Sequence, residues 1–234
     1  MMHPSQNHDK FADKVIAYNR TLQFRGELPK GFQVMNPFQE NPEILPISET
    51  FYKKYYNDSE NRKLILGINP GRLGAGATGI PFTDSKRLKA VCGIDLTSVQ
   101  THEPSSVFVY DLIEKYGGAQ RFYQDFYISS VFPLGFLTQN TKGNWVNANY
   151  YDQKELFEAV KEYIIKHLKQ QIELGIRQDA VYVLGKKNAQ FLQKIQKENL
   201  LFEKIITVEH PRYIEQYKTK EREKYLEEFL VKLS

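Results

Sequence analysis

The chain has 234 residues, of which 41% are hydrophobic and 26% charged, a composition typical of one well-buried globular domain and not of a disordered protein. Its formal net charge of +4 permits a polyanionic partner without requiring one. A single cysteine, Cys92, excludes internal disulfides and zinc or iron–sulfur centres built from several cysteines.

Residues 1 to about 60 predict a helical N-terminal extension. Apolar residues recur at helical spacing across residues 9–24, which predicts an amphipathic helix. Residues 31–46 are rich in proline and predict an irregular stretch. Ser48 is a candidate N-cap for a short helix that ends at Tyr56.

Four short apolar runs predict strands, at residues 63–68, 126–131, 180–184 and 205–208. Helical patterns alternate with them, at residues 85–91, 105–116, 152–174, 186–198 and 213–233, and residues 133–150 predict a long loop. This alternation predicts an α/β protein, a three-layer α/β/α sandwich with a mainly parallel four-stranded sheet. We therefore predict one domain over residues 1–234.

The first predicted strand ends in Asn69-Pro70-Gly71 and runs into a loop with four glycines between residues 71 and 79. Pro70 cannot donate a hydrogen bond to a sheet, so the strand stops there. Asn69 is then the polar side chain at the carboxyl end of a central strand, where open α/β sheets bind their ligands. Two other interpretations remain open: Asn-Pro-Gly as a simple turn, and the glycine loop as a phosphate cradle.

The last predicted strand ends in the same way, in Glu209-His210-Pro211-Arg212. If it is a parallel neighbour of the first strand, His210 emerges at the same edge of the sheet as Asn69. A lone histidine at a strand end is more often a structural residue than a catalytic one. His210 is therefore a catalytic candidate only in combination with Asn69.

The segment from Asn69 to Phe82, NPGRLGAGATGIPF, resembles the first motif of the single-strand-selective monofunctional uracil-DNA glycosylases, a group within the uracil-DNA glycosylase superfamily. The HPR at residues 210–212 resembles the start of that family's second motif, in the shortened form of its bacterial type 2 branch. The resemblance covers roughly residues 63–212. It implies a monofunctional DNA glycosylase that hydrolyses the N-glycosidic bond of uracil or other deaminated bases in base excision repair, without a cofactor.

The resemblance also implies roles for individual residues. Asn69 is expected to orient the water that attacks C1′ of the sugar, since an amide binds water but barely deprotonates it. His210 is expected to donate a hydrogen bond to O2 of the departing uracil, a stabilisation on the order of 3 kcal/mol. Phe82 is expected to stack on the extruded base, and a core position is nearly as plausible for it. Backbone N–H groups that line the pocket are expected from Gly71, Gly74 and Ala75.

Two positions favour a broad substrate range. Ser130 falls where the family has an asparagine that binds the edge of uracil with two hydrogen bonds, and a single hydroxyl cannot reproduce that pair. Gly71 occupies the position at which the strict uracil enzymes of the superfamily have a tyrosine that excludes 5-methyl groups. We therefore expect xanthine and 5-hydroxymethyluracil to be accepted beside uracil.

The expected partner is DNA, single-stranded or as a mismatched duplex, from which a base is extruded at the lowest cost. Arg212 and Tyr213 lie where the family inserts a wedge into the vacated base stack, and the wedge is short here. Lys186 and Lys187, at the start of a predicted helix, are candidates for phosphate contacts, or they form a solvated helix turn. We expect a monomer.

Two alternative functions remain open at this stage, a catalytically silent nucleic-acid- or nucleotide-binding module on the same fold and a hydrolase of small nucleosides. No metal is expected, because His102-Glu103 is not followed by a second histidine at helical spacing. The chain shows no apolar run of membrane-spanning length and no signal-peptide pattern, so we expect a cytoplasmic protein.

Overall fold

The structure is a computed structural model that describes residues 10–234. The start of the predicted N-terminal extension, including Asp9, lies outside the described residues. The strands are β1 (Phe32–Met35), β2 (Arg62–Gly67), β3 (Phe126–Ser130), β4 (Gly135–Gln139), β5 (Trp145–Ala148), β6 (Ile176–Leu184) and β7 (Ile205–Val208). The helices are α1 (Phe11–Thr21), α2 (Pro37–Glu40), α3 (Ile44–Tyr55), α4 (Ala75–Thr78), α5 (Ser85–Ala90), α6 (Pro104–Tyr116), α7 (Ala119–Asp125), α8 (Lys154–Glu173), α9 (Lys186–Glu198), α10 (Pro211–Tyr217) and α11 (Arg222–Leu233).

The central sheet contains four parallel strands in the order β3-β2-β6-β7, which confirms the predicted sheet. Leu64 of β2 pairs with Tyr127 on one side and Val181 on the other. Helices α6, α7 and α11 cover the face that carries Ile65 and Tyr182, while α8 and α9 also pack against β6. Because both faces are covered, the strands are apolar runs without alternation. The result is the predicted three-layer α/β/α sandwich.

A second sheet was not predicted. Strands β1, β4 and β5 form an antiparallel sheet in the order β1-β4-β5, so the prediction of a long loop at 133–150 is wrong. The turn between β4 and β5 is built by Asn140, whose side-chain oxygen accepts the N–H groups of Lys142 and Asn144, and by Gly143 at a φ of 77°. These strands have four or five residues and mix apolar with polar side chains, so neither a continuous apolar run nor a clear period marks them in the sequence.

The first part of the chain is built into the same core as the rest. Phe11 of α1 stacks on Tyr56 with ring centroids 5.6 Å apart, and the guanidinium of the fully buried Arg62 lies 4.5 Å from the centre of the Phe11 ring. Helix α3 begins at Ile44, so Ser48 does not cap it as predicted. Instead, the buried Ser48 hydroxyl accepts a hydrogen bond from Asn19 of α1 at 3.2 Å and joins the two helices.

The predicted final helix, 213–233, is divided. Helix α10 ends at Tyr217, a 3-10 turn covers Thr219–Glu221, and α11 then begins at Arg222. The Arg222 side chain bonds to Glu215 at 2.7 Å and also to Asp111 of α6, which fixes the bend. Helix α10 is thereby held beside the carboxyl end of the sheet. None of the helices formed by residues 10–234 combines the length and apolar character that a membrane crossing requires.

Candidate active site

A cleft of about 340 Å³ opens at the carboxyl ends of β2 and β3. Its walls are formed by the glycine loop after β2, the start of α6, the end of β5 and helix α10. Eight of the sequence-predicted site residues line it: Asn69, Gly71, Ala75, Phe82, Ser130, His210, Arg212 and Tyr213. Residues from both proline-terminated strands therefore meet in one place, although the expectation that these strands are neighbours is wrong. Strand β6 lies between β2 and β7, and all three run parallel, so their carboxyl ends still share one edge.

The side-chain amide of Asn69 is held on both of its polar atoms. Its Nδ2 donates to the Ala148 carbonyl at 3.0 Å, and its Oδ1 accepts the N–H of Tyr150 at 3.1 Å. These two contacts fix which way the amide faces. A carbonyl oxygen has two lone pairs, so Oδ1 retains the capacity to accept one more hydrogen bond. Asn69 thus presents a preoriented acceptor beside the cleft.

The imidazole of His210 is oriented by the helix that follows it. His210 is the N-cap of α10, and its Nδ1 accepts the N–H of Arg212 at 3.1 Å. Burial, with a smaller effect of the Arg212 charge, lowers the pKa of His210 to about 4. The ring is therefore neutral at physiological pH. With Nδ1 accepting, the proton resides on Nε2, and His210 is a neutral donor.

Phe82 is the one non-glycine residue within 10–234 that has a positive φ, 51°. This conformation is unfavourable for a residue with a bulky side chain and tends to persist where a site requires it. The Phe82 ring lies beside Gly67, and a Cβ added to Gly67 would be 3.1 Å from a ring carbon. The centroids of the Phe82 and His210 rings are 5.9 Å apart. The strained backbone thus places an aromatic face next to the neutral histidine.

The glycine loop supplies fewer free donors than the sequence suggested. The N–H groups of Gly74 and Gly76 both donate to the Gly71 carbonyl, at 3.1 and 2.9 Å, and Arg72 donates to the side chain of Asn147. Gly74 also does not line the cleft. The prediction that Gly74 provides a pocket N–H is therefore wrong, because the loop closes on itself to form a turn.

Ser130 lies at the end of β3, paired with Gly67 of β2, and is 7% exposed. Its backbone carbonyl accepts a hydrogen bond from Gln171 at 3.5 Å. Its hydroxyl, by contrast, forms no hydrogen bond to any residue that the structure describes, which leaves it available to a ligand in the cleft.

Sequence reasoning missed several residues that line the cleft: Glu103, Ser105, Asn147, Asn149, Gln216 and Tyr217. Glu103 is the most unusual of them chemically. Burial, together with the nearby charge of Asp84, raises the pKa of Glu103 to about 7, although its hydrogen bond from Ser106 and the Arg212 charge act in the opposite direction. The proline that follows Glu103 marks a helix start. No sequence pattern, however, indicates that this helix start lies next to the cleft at the ends of β2 and β3.

Helix α10 presents an exposed aromatic pair at the rim. Tyr213 and Tyr217 are 40% and 72% exposed, and their ring centroids are 5.5 Å apart.

Lys186 and Lys187 lie outside the cleft, at the start of α9. Lys186 Nζ is 3.4 Å from the Glu209 carboxylate, and Lys187 Nζ lies over the Tyr151 ring. Their proposed phosphate contacts stay a prediction. Over residues 10–234, no three His, Cys, Asp or Glu side chains are grouped as metal ligands.

Comparisons with known proteins agree with this geometry. The family model described as the uracil DNA glycosylase superfamily matches residues 53–234. The crystal structure of wild-type SMUG2 from Pedobacter heparinus is similar over 95% of this chain and 96% of its own, with 49% sequence identity and a TM-score of 0.93. The search of curated proteins found no match.

Proposed function

This chain belongs to the uracil-DNA glycosylase superfamily and is a DNA glycosylase, a hydrolase of N-glycosyl bonds, and we propose that it removes uracil, xanthine and 5-hydroxymethyluracil from DNA. One observation carries the proposal. A single cleft brings together an oriented amide oxygen on Asn69, a neutral donor on His210 and an aromatic face on Phe82. Those are the groups that a hydrolysis with an early-departing base needs.

In the proposed mechanism the bond between C1′ and the base nitrogen breaks first, and its electron pair leaves with the base. Negative charge then develops on O2, where the Nε2–H of His210 donates a hydrogen bond. The sugar is left as an oxocarbenium ion. A water held by Oδ1 of Asn69 attacks C1′ and loses a proton to solvent, which yields the abasic site. The departed base anion takes up a proton from solvent and becomes the free base. An oxocarbenium ion needs no strong base to activate that water, so an amide suffices.

The surroundings of Gly71 support acceptance of bases with a 5-substituent. An added Cβ at Gly71 would lie 3.3 Å from Nδ2 of Asn147 and 3.6 Å from Oε1 of Glu103. A hydroxymethyl group in this region would therefore meet two polar side chains that can bind its hydroxyl. The single free hydroxyl of Ser130 supports acceptance of xanthine, since it imposes less on the base edge than an amide would.

The proposal is tested by incubating the protein with end-labelled oligonucleotides that carry one uracil, xanthine or 5-hydroxymethyluracil, and then cleaving abasic sites with hot alkali. We expect strand cleavage at all three bases. Asn69→Ala protein, purified in parallel, controls for contaminating glycosylases. Cleavage at uracil alone would contradict the broad range, and release of bases from free nucleosides but not from DNA would identify a nucleoside hydrolase instead.

Ser130→Asn is expected to raise excision of uracil relative to xanthine. An amide at this position can donate to the carbonyl oxygen and accept the ring N–H of uracil, and a site that fully satisfies its substrate gains the largest discrimination. Single-turnover rates on matched oligonucleotides measure the ratio, with Ser129→Asn on the preceding residue as a control. An unchanged ratio would place Ser130 away from the base edge.

We further propose that the partner is single-stranded or mismatched DNA and that Arg212, Tyr213 and Tyr217 contact it at the rim. The exposed tyrosine pair supports this, because stacking of a base on an aromatic ring contributes about 1–3 kcal/mol. All groups in the mechanism come from one chain, which supports a monomer, and the buried, unpaired Cys92 is compatible with a reducing cytoplasm.

Replacing both Tyr213 and Tyr217 with alanine is expected to weaken binding of a uracil-containing single strand by about tenfold or more, the equivalent of one lost stacking contact. Fluorescence anisotropy in the Asn69→Ala background measures affinity without turnover. Replacement of both by phenylalanine keeps the rings and is expected to preserve affinity. If the alanine and phenylalanine pairs bind alike, the rim is not a stacking platform.

A further inference from the structure

The Glu103 carboxyl group packs against two glycines of the loop after β2, Gly71 and Gly74. An added Cβ on Gly74 would lie only 2.2 Å from Glu103 Oε2, and one on Gly71 would lie 3.6 Å from Oε1. Any larger residue at position 74 would displace the carboxyl group. The glycine loop thus leaves space for an acidic side chain that lines the cleft. It does not direct the N–H groups of Gly74 and Gly76 into the cleft.

This position is anchored from several elements. The backbone N–H of Glu103 donates to Oδ2 of Asp84 at 2.7 Å, and Asp84 is fully buried and paired with Arg87 at 2.8 Å. The Ser106 hydroxyl donates to Oε2 of Glu103 at 3.1 Å. For Oε1 there is no hydrogen bond to any of residues 10–234, so one oxygen of a well-anchored carboxyl group remains unpartnered beside the cleft.

The protonation state of Glu103 follows from what faces it. Burial and the Asp84 carboxylate favour the neutral acid, while Ser106 and the Arg212 guanidinium favour the anion. Behind Asp84, Arg87 pairs with its carboxylate at 2.8 Å, and His102 Nδ1 lies 3.6 Å from the same oxygen without a hydrogen bond to it. Since the pKa is raised to about 7, the group is largely a neutral carboxylic acid below neutral pH. In that form it offers one donor and one acceptor, as an amide does.

Resting on the proposed function, we propose that Glu103 is a specificity-determining residue whose carboxyl O–H donates a hydrogen bond to the exocyclic carbonyl oxygen that deamination leaves on the extruded base. The Ser130 hydroxyl accepts the neighbouring ring N–H. The two hydrogen bonds thereby come from separate side chains, at the start of α6 and the end of β3. Together they constrain the base edge less than the fixed pair of one amide would, which agrees with the broad range proposed above. An unaltered cytosine has an amino group at that position. Because the amino group and the carboxyl O–H are both hydrogen-bond donors, the O–H cannot donate to it.

The test is the pH dependence of single-turnover uracil excision from a single-stranded oligonucleotide between pH 5.5 and 8.5. We expect the wild-type rate to fall as the pH rises through about 7, on the order of tenfold, as the O–H donor is lost. Glu103→Gln keeps a permanent donor and is expected to be nearly independent of pH, close to the wild-type rate at low pH. Glu103→Ala is expected to be slow throughout.

Glu114→Gln, an exposed change of the same kind on α6, serves as the matched control and is expected to reproduce the wild-type profile. Thermal melts of every variant separate misfolding from a lost contact. A second arm combines Glu103→Ala with Ser130→Asn, which is expected to restore uracil excision because the amide supplies both hydrogen bonds.

The outcomes distinguish this inference from the function on which it rests. A wild-type protein that excises no base would overturn both. A wild-type protein that excises uracil while Glu103→Gln follows the same descending pH profile would overturn the role of Glu103 and leave the glycosylase intact. Equal loss in the glutamine and alanine variants would show that Glu103 has only a structural role at the start of α6.

Discussion

Asn69→Ala is expected to lower the single-turnover rate of uracil excision by about a hundredfold or more while the affinity for DNA changes little. The Asn69 oxygen is proposed to contact the attacking water, and an interaction made only on the way to the transition state contributes to the rate and not to ground-state binding. Rapid-quench measurement of abasic-site formation, with anisotropy for binding, separates the two quantities.

The amide of Asn69 also holds the segment from Ala148 to Tyr150, so loosening of this segment must be excluded as the cause. Asn147→Ala is a suitable control, because it removes the contact from Arg72 to the same segment and leaves Asn69 in place. We expect it to retain most of the rate. If Asn147→Ala is as slow as Asn69→Ala, or if Asn69→Ala turns over normally, the water-orienting role is refuted.

The sheet and the two catalytic candidates could be predicted from the sequence for a single reason. Strands β2 and β7 each end in a polar residue followed by proline, and parallel strands bring such ends to one edge. Local patterns and the order of the elements are enough to place Asn69 and His210 at this edge, where the cleft lies, and no side-chain contact has to be known.

Glu103 and Asn147 could not be found in the same way. Glu103 reaches the cleft because Asp84, at the start of α5, binds its backbone, and because Gly74 has no side chain in the way. Asn147 lies on β5, which is held by pairing with β4, and β4 in turn pairs with β1. Both placements depend on contacts between elements distant in sequence, which a single chain without its fold does not display.

The pKa values of two groups that line the cleft, His210 and Glu103, are shifted in opposite directions by the same cause. Burial disfavours charge, so it lowers the pKa of His210 and raises that of Glu103. Near pH 6 both groups are mainly neutral. For His210 the folded state binds fewer protons than the unfolded chain, so its contribution to stability falls as the pH drops from about 6.5 to about 4. For Glu103 the contribution falls as the pH rises from about 4.5 to about 7.

His210→Ala is expected to slow excision of uracil by about 100- to 1000-fold, the range observed when one preorganised donor is removed from a site of developing charge. The loss should be smaller for bases that leave easily, such as 5-fluorouracil, because less charge on O2 then needs stabilisation. Because the pKa of His210 is about 4, we expect no change of rate attributable to this residue between pH 5.5 and 6.5, where an ordinary histidine loses its proton.

His210 also caps α10 through Nδ1, so a slow alanine variant could reflect a displaced helix. His210→Asn separates the two roles, since asparagine is a good N-cap whose oxygen can accept the Arg212 N–H, but it lacks a donor at the position of Nε2. We expect His210→Asn to keep the melting temperature of the wild type and to be slow with the same dependence on the leaving base. If it excises uracil at the wild-type rate, or if the loss is equal for uracil and 5-fluorouracil, His210 serves the helix and not the departing base.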